Sequence, residues 1–381
     1  MNTPAPSIWE VRSFQVRPHV AVIGGGIVGL FIAIMYKRRH PDHHVVVLEK
    51  GRFPSGASVK NAGFACFGSP SELIADIRNE GMDAAMARVE LRWKGLRDLR
   101  QELGDEAIGF EASGGHEIFA SGDPLYTEVQ EKFDVLNDAL EPMFGRRAYR
   151  WQNDLIKQFG LKGIDHLATT DLEGSINSGS MMSALLRKAI TEGVQFRSAA
   201  RVTAIEENSD HVQLRIDGEA PISAQQVVLA TNGYTRDLLP EVDVVPGRGQ
   251  VILTSPIEGL KLKGNFHYGE GFYYFREFES RVLFGGGRNL DPTGESTTEE
   301  GSTELIQSEL RRLLKEMILP GTDFSIEQKW SGIMAFGSSS KSPLIERRSD
   351  RIVLAVRLGG MGVAIGTQVA RKAADLLDEC T

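Results

Sequence analysis

The strongest constraint on this chain lies in residues 19–50, HVAVIGGGIVGLFIAIMYKRRHPDHHVVVLEK. Residues 19–23 form a short apolar, β-branched run, as a strand buried on both faces requires. Gly24, Gly26 and Gly29 follow as G-x-G-x-x-G. In that spacing the first glycine permits a sharp turn, the second lets the backbone approach a pyrophosphate, and the third lets a helix pack closely on the strand. The helix is expected over about residues 27–37, stopped by Pro41. Its first turn, with Ile27 and Val28, offers N–H groups to phosphate. Residues 45–48 read as a second strand, and Glu49, followed by Lys50, stands 20 residues beyond Gly29. A carboxylate there accepts hydrogen bonds from both hydroxyls of an adenosine ribose and disfavours a 2′-phosphate. The stretch therefore specifies a βαβ unit that binds a dinucleotide, and the glycines alone do not separate FAD from NAD.

A length of 381 residues is enough for two domains, and 41% hydrophobic with 25% charged residues is ordinary for a globular chain. The formal net charge of −8 argues against nucleic acid as a partner. Two cysteines, Cys66 and Cys380, make no disulfide framework and fit a cytoplasmic location. Residues 1–14 lack the apolar core of a signal peptide, and no apolar run reaches membrane-spanning length. Residues 1–18 are expected as an arm laid over the first strand. His116, His166 and His267 are scattered without ligand spacing, so no metal is expected and all three read as structural. Nothing in the sequence sets an oligomeric state.

Residues 71–103 carry apolar stripes at helical spacing, interrupted at Gly81. A strand is expected at 115–120 and helices at 125–140 and 181–192. Strands follow at 201–206, 212–216, 227–230, 250–254, 271–275, 281–284, 324–328 and 352–355. Residues 359–362, Gly-Gly-Met-Gly, open a last helix far from the first βαβ unit but with the same glycine chemistry. The layout is thus an interrupted one: an FAD-binding part from residues 1–75, 170–240 and 330–381, and a substrate-binding part, rich in antiparallel strand, from 76–169 and 241–329.

Four motifs together resemble the FAD-dependent oxidoreductases of the D-amino acid oxidase, glycine oxidase and sarcosine oxidase superfamily. They are residues 24–29 with Glu49; Gly56-Ala57-Ser58 with Asn61-Ala62-Gly63; residues 230–235 with 246–250; and Trp330-Ser331-Gly332 with Pro343 and residues 359–362. The resemblance implies an α/β fold, a Rossmann-like FAD-binding domain of the GR2 flavoprotein type with an inserted antiparallel substrate domain. It implies FAD, held without a covalent bond, beside Ser58, Lys60, Asn61, Ala62, Gly63, Val202, Ala230, Thr231, Asn232 and Gly233. The helix opened by Gly359, Gly360, Met361 and Gly362 would stabilise negative charge on the flavin. The implied partner is a small amine or amino acid, oxidised at its C–N bond by hydride transfer. The alternatives are a 2-hydroxy acid oxidase or dehydrogenase and a flavin-binding protein without catalysis.

For the substrate side, Tyr273, Tyr274, Arg276, Arg281 and Arg288 are the candidates, because Tyr and Arg near a flavin commonly bind a carboxylate. Alternation puts Tyr274 and Arg276 on one strand face, and these two are expected to carry the catalytic work, with Arg248 and Met334 also in the substrate site. Met334 stands where glycine oxidase and D-amino acid oxidase carry a carboxylate-binding arginine. The strand after the tyrosines lacks the oxygen-activating lysine of monomeric sarcosine oxidases, and Cys380 does not fit their flavin linkage.

Overall fold

The computed structural model describes residues 5, 7–13, 16–338 and 340–379. Cys380 lies outside them. Two large sheets organise the fold. The first has six strands, in the order Leu344–Arg347, Ile352–Val356, Gln226–Leu229, Val20–Ile23, Val45–Leu48 and Gln195–Arg197. All its pairings are parallel except that of the edge strand Leu344–Arg347. Side-chain alternation divides its two faces. Val20, Val22, Val45, Val47, Val228 and Val353 pack under the helices Ile27–Arg39 and Gly362–Asp378. Ala21, Ile23, Val46, Leu48, Leu229 and Leu354 pack instead on a three-stranded antiparallel sheet, Val202–Glu207, Val212–Ile216 and Ile222–Ala224. Both faces are covered, which is why the central strands are apolar throughout.

The second sheet has eight strands, in the order Ile326–Phe336, Val245–Thr254, Arg281–Gly286, Tyr273–Phe278, Asn265–Tyr268, Gly115–Ala120, Ile164–Thr170 and Arg150–Trp151. One pairing, Asn265–Tyr268 with Gly115–Ala120, is parallel and the rest are antiparallel. The fold is thus α/β, a Rossmann-like sheet joined to a second, largely antiparallel one.

Several elements depart from their sequence reading. The helical stretch does break at Gly81, into Pro70–Glu80 and Met82–Leu103. The second of these helices packs on Gly362–Asp378, closely enough that a Cβ on Gly95 would lie 1.9 Å from the carbonyl oxygen of Ala364. It therefore joins the helical layer of the parallel sheet, although the sequence layout put it in the other part. The strand expected at 324–328 runs on to Phe336, and the strands Asn265–Tyr268 and Ile164–Thr170 were not anticipated. The expected arm is, where described, a short helix, Ile8–Ser13, with no buried residue. Its apolar side chains Ile8, Trp9 and Val11 are exposed, so they do not cover the first strand.

Candidate functional site

One cavity of about 560 Å³ runs between the two sheets, from the glycine turn to the tyrosine strand. At the turn, Gly24 has φ +109°, and a Cβ there would meet the carbonyl oxygen of Ala230 at 2.7 Å. A Cβ on Gly26 would meet Ser58 Oγ at 2.9 Å, and one on Gly29 the carbonyl oxygen of Gly24 at 2.0 Å. The Gly24 and Gly29 positions are closed by backbone, and that of Gly26 by the Ser58 hydroxyl. Ser58 Oγ accepts the Ile27 N–H at 3.1 Å, which leaves its own hydrogen for a ligand. Glu49 is buried, and its two oxygens accept from the N–H groups of Gly25 and Gly51, at 2.9 Å each. The carboxylate thus also fixes the turn, and its remaining lone pairs face the cavity it lines. Lys50 Nζ sits 3.0 Å from the centre of the Tyr234 ring, a cation–π contact, and burial lowers its pKa.

Val28, Val202, Ala230 and Thr231 continue the wall. Asn232, at φ +47°, accepts through Oδ1 from the N–H groups of Arg357 and Leu358 at 3.2 and 3.4 Å. That ties the end of the strand Gln226–Leu229 to the turn that opens the last helix. Gly359, Gly360, Met361 and Gly362 bring the N-terminus of that helix to the cavity. Gly233 lies behind the wall, packed on the carbonyl oxygen of Met334. The elongated cradle, its closed glycine positions and its buried carboxylate fit a dinucleotide such as FAD.

The loop expected beside the flavin ring is held from behind. Asn61 donates to the carbonyls of Ala57 and Ser58 and accepts from Gly63 N–H and Ser178 Oγ. Ala62 lines the cavity, while Gly63, at φ +75°, turns against the carbonyl oxygen of Ile176. Lys60 lines it too, in an ion pair with Glu300.

The four arginine candidates separate sharply. Arg276 shares a strand face with Tyr274 but does not line the cavity; Nε donates to the carbonyl oxygen of Ala62 at 2.7 Å and Nη2 to that of Ile176 at 3.0 Å. It is a clamp under the loop, not a carboxylate ligand. Arg248 is also turned away, bound through Nε and Nη2 to the buried Glu295 at 2.9 Å each. Arg281 pairs with Glu327 at 2.7 Å on the surface. Arg288 alone of the four lines the cavity. Its guanidinium stacks 4.2 Å over the Phe336 ring and has no ion pair or hydrogen bond among the described residues. Burial lowers its pKa, yet a guanidinium stays charged. Tyr274 lies beside it, pushed up to about 12 by burial and so a neutral hydrogen-bond donor. Met334 lines the cavity between Gly249 and Gly360 and supplies only apolar surface.

Histidine is the other correction. His116 is structural, bonded to Thr169 Oγ1 and the Lys263 carbonyl at 3.0 Å each, and His166 stacks on Tyr126. His267 instead lines the cavity, near the buried carboxyls Glu117 and Glu173. Burial pushes Glu117 up to about 7 and Glu173 up to about 8. These acids, and Phe336 under Arg288, escaped the sequence reading because no local spacing marks them. Among the described residues no group of histidine, cysteine or acid side chains is arranged to hold a metal ion, and no helix is long and apolar enough to cross a membrane.

The family model described as FAD dependent oxidoreductase, DAO, matches residues 19–376. The bifunctional protein ThiO/ThiG of Synechocystis is 23% identical over 376 residues, covering 95% of this chain. The chain spans 52% of that relative's length, about half. The L-proline dehydrogenase of P. horikoshii superposes with a TM-score of 0.75 at 17% identity, over 95% of this chain and 94% of that one. The glycine oxidase of Bacillus cereus gives 0.72 at 18% identity, over 96% of each.

Proposed function

The chain belongs to the DAO family of FAD-dependent oxidoreductases, and we propose that within it this enzyme oxidises the C–N bond of an amino acid. Arg288 carries the reading. A half-buried guanidinium facing the cavity, with no acid partner among the described residues, suits a substrate carboxylate, which its planar fork meets bidentately. Tyr274 supplies a third donor to the same group. The position left apolar by Met334 is thereby replaced from the short turn Arg288–Leu290 that follows the strand Arg281–Gly286. Proline and glycine, for which the two structural relatives are named, both carry a carboxylate next to an oxidisable C–N bond.

When bound, FAD supplies the two-electron acceptor; the chain supplies binding, orientation and field. Glu49 would hold the ribose, Ser58 and the first turn of Ile27–Arg39 the pyrophosphate, and residues 359–362 the pyrimidine edge. Arg288 and Tyr274 fix the carboxylate, so the neighbouring carbon is presented to the ring. Binding of a neutral amine suffices for hydride loss, so no base on the protein is needed. The two-part division of the chain, with the helix Met82–Leu103 moved to the FAD-binding part, belongs to this proposal, together with a cytoplasmic location.

The test is anaerobic mixing of the purified holoenzyme with amino acids, simple amines and 2-hydroxy acids, followed by flavin bleaching. Amino acids are expected to bleach it. Arg288→Leu is expected to raise KM about 100-fold, the equivalent of ~3 kcal/mol for a charge-assisted pair. Bleaching by 2-hydroxy acids alone would overturn C–N oxidation, and no bleaching by any of them would overturn catalysis. We also propose that the flavin is not covalently bound, because burial raises the pKa of Cys66 well above that of a free thiol and keeps it un-nucleophilic. Acid precipitation is expected to leave the yellow colour in the supernatant; a yellow pellet contradicts this.

A further inference from the structure

The far end of the cavity holds a polar group with no part in the reading above. His267 is 7% exposed and lines the cavity from the strand Asn265–Tyr268. It stands directly opposite Tyr274 in the sheet register, so the two side chains share a face. The ring of Phe64, from the flavin-side loop, sits edge-on to both, at 5.2 and 5.9 Å. His267 Nε2 lies 4.0 Å from Glu173 Oε2 and has no hydrogen-bond partner among the described residues. Glu173 is 2% exposed, and its other oxygen accepts the Phe67 and Gly68 N–H groups at 2.9 and 3.4 Å. Oε2 is therefore left to the imidazole, and the second ring nitrogen is left to the cavity. Arg92, on the helix Met82–Leu103, lines the same end, and its buried Nε is also without a partner among the described residues.

Reach decides what this end can do. The Tyr274 ring runs away from His267: its hydroxyl lies 3.7 Å from where a Cβ on Gly249 would stand. Two strands separate Gly249's strand from His267's, which makes three spacings of about 4.8 Å, or roughly 14 Å. In an α-amino acid the amine and the carboxylate share one carbon. A carboxylate held by Arg288 and the Tyr274 hydroxyl therefore lies toward the Gly249 side of the sheet, away from His267. The end of an extended side chain is what spans that separation.

We propose that His267, oriented by Glu173 and flanked by Arg92, is a distal subsite that takes an acceptor oxygen, a carbonyl or carboxylate, at the end of an extended amino-acid side chain. The proposal rests on the amino-acid reading given above. Burial pushes His267 down to about 4 and Glu173 up to about 8. Near neutral pH the carboxyl therefore keeps its proton on the side of Nε2, too far at 4.0 Å for a formed hydrogen bond, and favours the tautomer whose N–H faces the cavity and can donate to the ligand. Ionised Glu173 reverses the tautomer and turns the cavity-facing nitrogen into an acceptor. The other groups around the ring do not compete for it. Glu72 and Arg92 pair at 3.1 Å, the oxygens of Glu117 are occupied by Ser69 and Ser71, and buried Cys66 and Tyr274 stay neutral.

The experiment measures Kd and the KM against kcat split for the holoenzyme with glutamine, glutamate and norleucine, both enantiomers, using flavin spectral change and anaerobic reduction. The oxygen-ended compounds are expected to bind about tenfold tighter than norleucine, the worth of one or two hydrogen bonds. His267→Phe, which keeps the ring packed on Phe64, is expected to erase that ratio. If that variant does not fold, His267→Gln, which keeps a donor, is expected to retain part of it. In the parent the glutamate ratio is expected to fade above pH 8, while glutamine, whose amide can also donate, keeps more of its own; in Glu173→Gln both are expected to persist. Equal binding of all three compounds by the parent, or a ratio that survives His267→Phe, overturns the subsite alone. Failure of every amino acid, short or long, to bind or bleach the parent overturns the amino-acid reading and the subsite with it.

Discussion

The two ends of the cavity are built by different rules. At the dinucleotide end, the decisive positions Gly24, Gly26, Gly29 and Glu49 come from one contiguous stretch: Gly29 meets Gly24 and Glu49 accepts from Gly25 and Gly51, while Gly24 and Gly26 are closed from outside by Ala230 and Ser58. Their work is done by backbone N–H groups and by the absence of side chains. At the substrate end, Arg288, Tyr274, Phe336 and His267 come from four separate segments, and their work is done by side chains. The first arrangement is set by spacing along the chain. The second is set by which partners each side chain has or lacks after folding. The arginines make this concrete: four lie in or beside one sheet, and among the described residues Arg288 alone of the four has no acid or acceptor.

Substitutions can break that comparison, and the largest effect is expected at Gly26. A valine there would place its Cβ against Ser58 Oγ, at 2.9 Å, and fill the space of the pyrophosphate. Gly26→Val is expected to abolish FAD binding in a chain that still shows the parent's circular dichroism. An FAD affinity equal to the parent's would remove this site as the cofactor cradle.

A smaller effect, on both ends at once, is expected for Arg276→Met. The carbonyls of Ala62 and Ile176 would lose a charged donor, each worth about 1–3 kcal/mol when left unmet. Tm and FAD content are expected to fall together. This is the opposite of the behaviour expected from the sequence, in which Arg276 binds substrate and its loss raises KM alone. The Arg288→Leu variant supplies the contrast, a raised KM with Tm and FAD content near the parent's. If Arg276→Met keeps full FAD and shifts only KM, the two arginines have been assigned the wrong way round.

The smallest effect is a change of slope. Glu173 titrates at about 8 in the fold and near 4.5 when unfolded, so the folded chain binds the extra proton between those values. Its contribution to stability is complete below about 4.5, is lost as pH rises through about 8, and is constant above that. Glu117, raised to about 7, acts in the same sense. His116 and His267, held down to about 4, act in the opposite sense, but only below about 6.5. Denaturant unfolding between pH 7 and pH 8, below the range where the unfolded Cys66 thiol ionises, therefore isolates the carboxyls. The parent is expected to lose stability over that range, and Glu173→Gln to lose less. Parallel curves would mean that Glu173 is already ionised.

The sequence by itself determined the βαβ unit and its glycine turn. A glycine turn, a helix start and a strand end are local events, fixed by the φ freedom and bulk of neighbouring residues, so their spacing is enough to read them. It also placed Tyr274 and Arg276 correctly on one strand face, since alternation is local too. Only the tertiary structure decided what that face does at each position. Arg276 is consumed by a carbonyl 214 residues away, Arg248 by an acid 47 residues on, and His267 is brought beside a carboxyl of another segment. Whether a charge is spent or available depends on which distant groups fold against it, and that pairing has no signature in the spacing of residues along the chain.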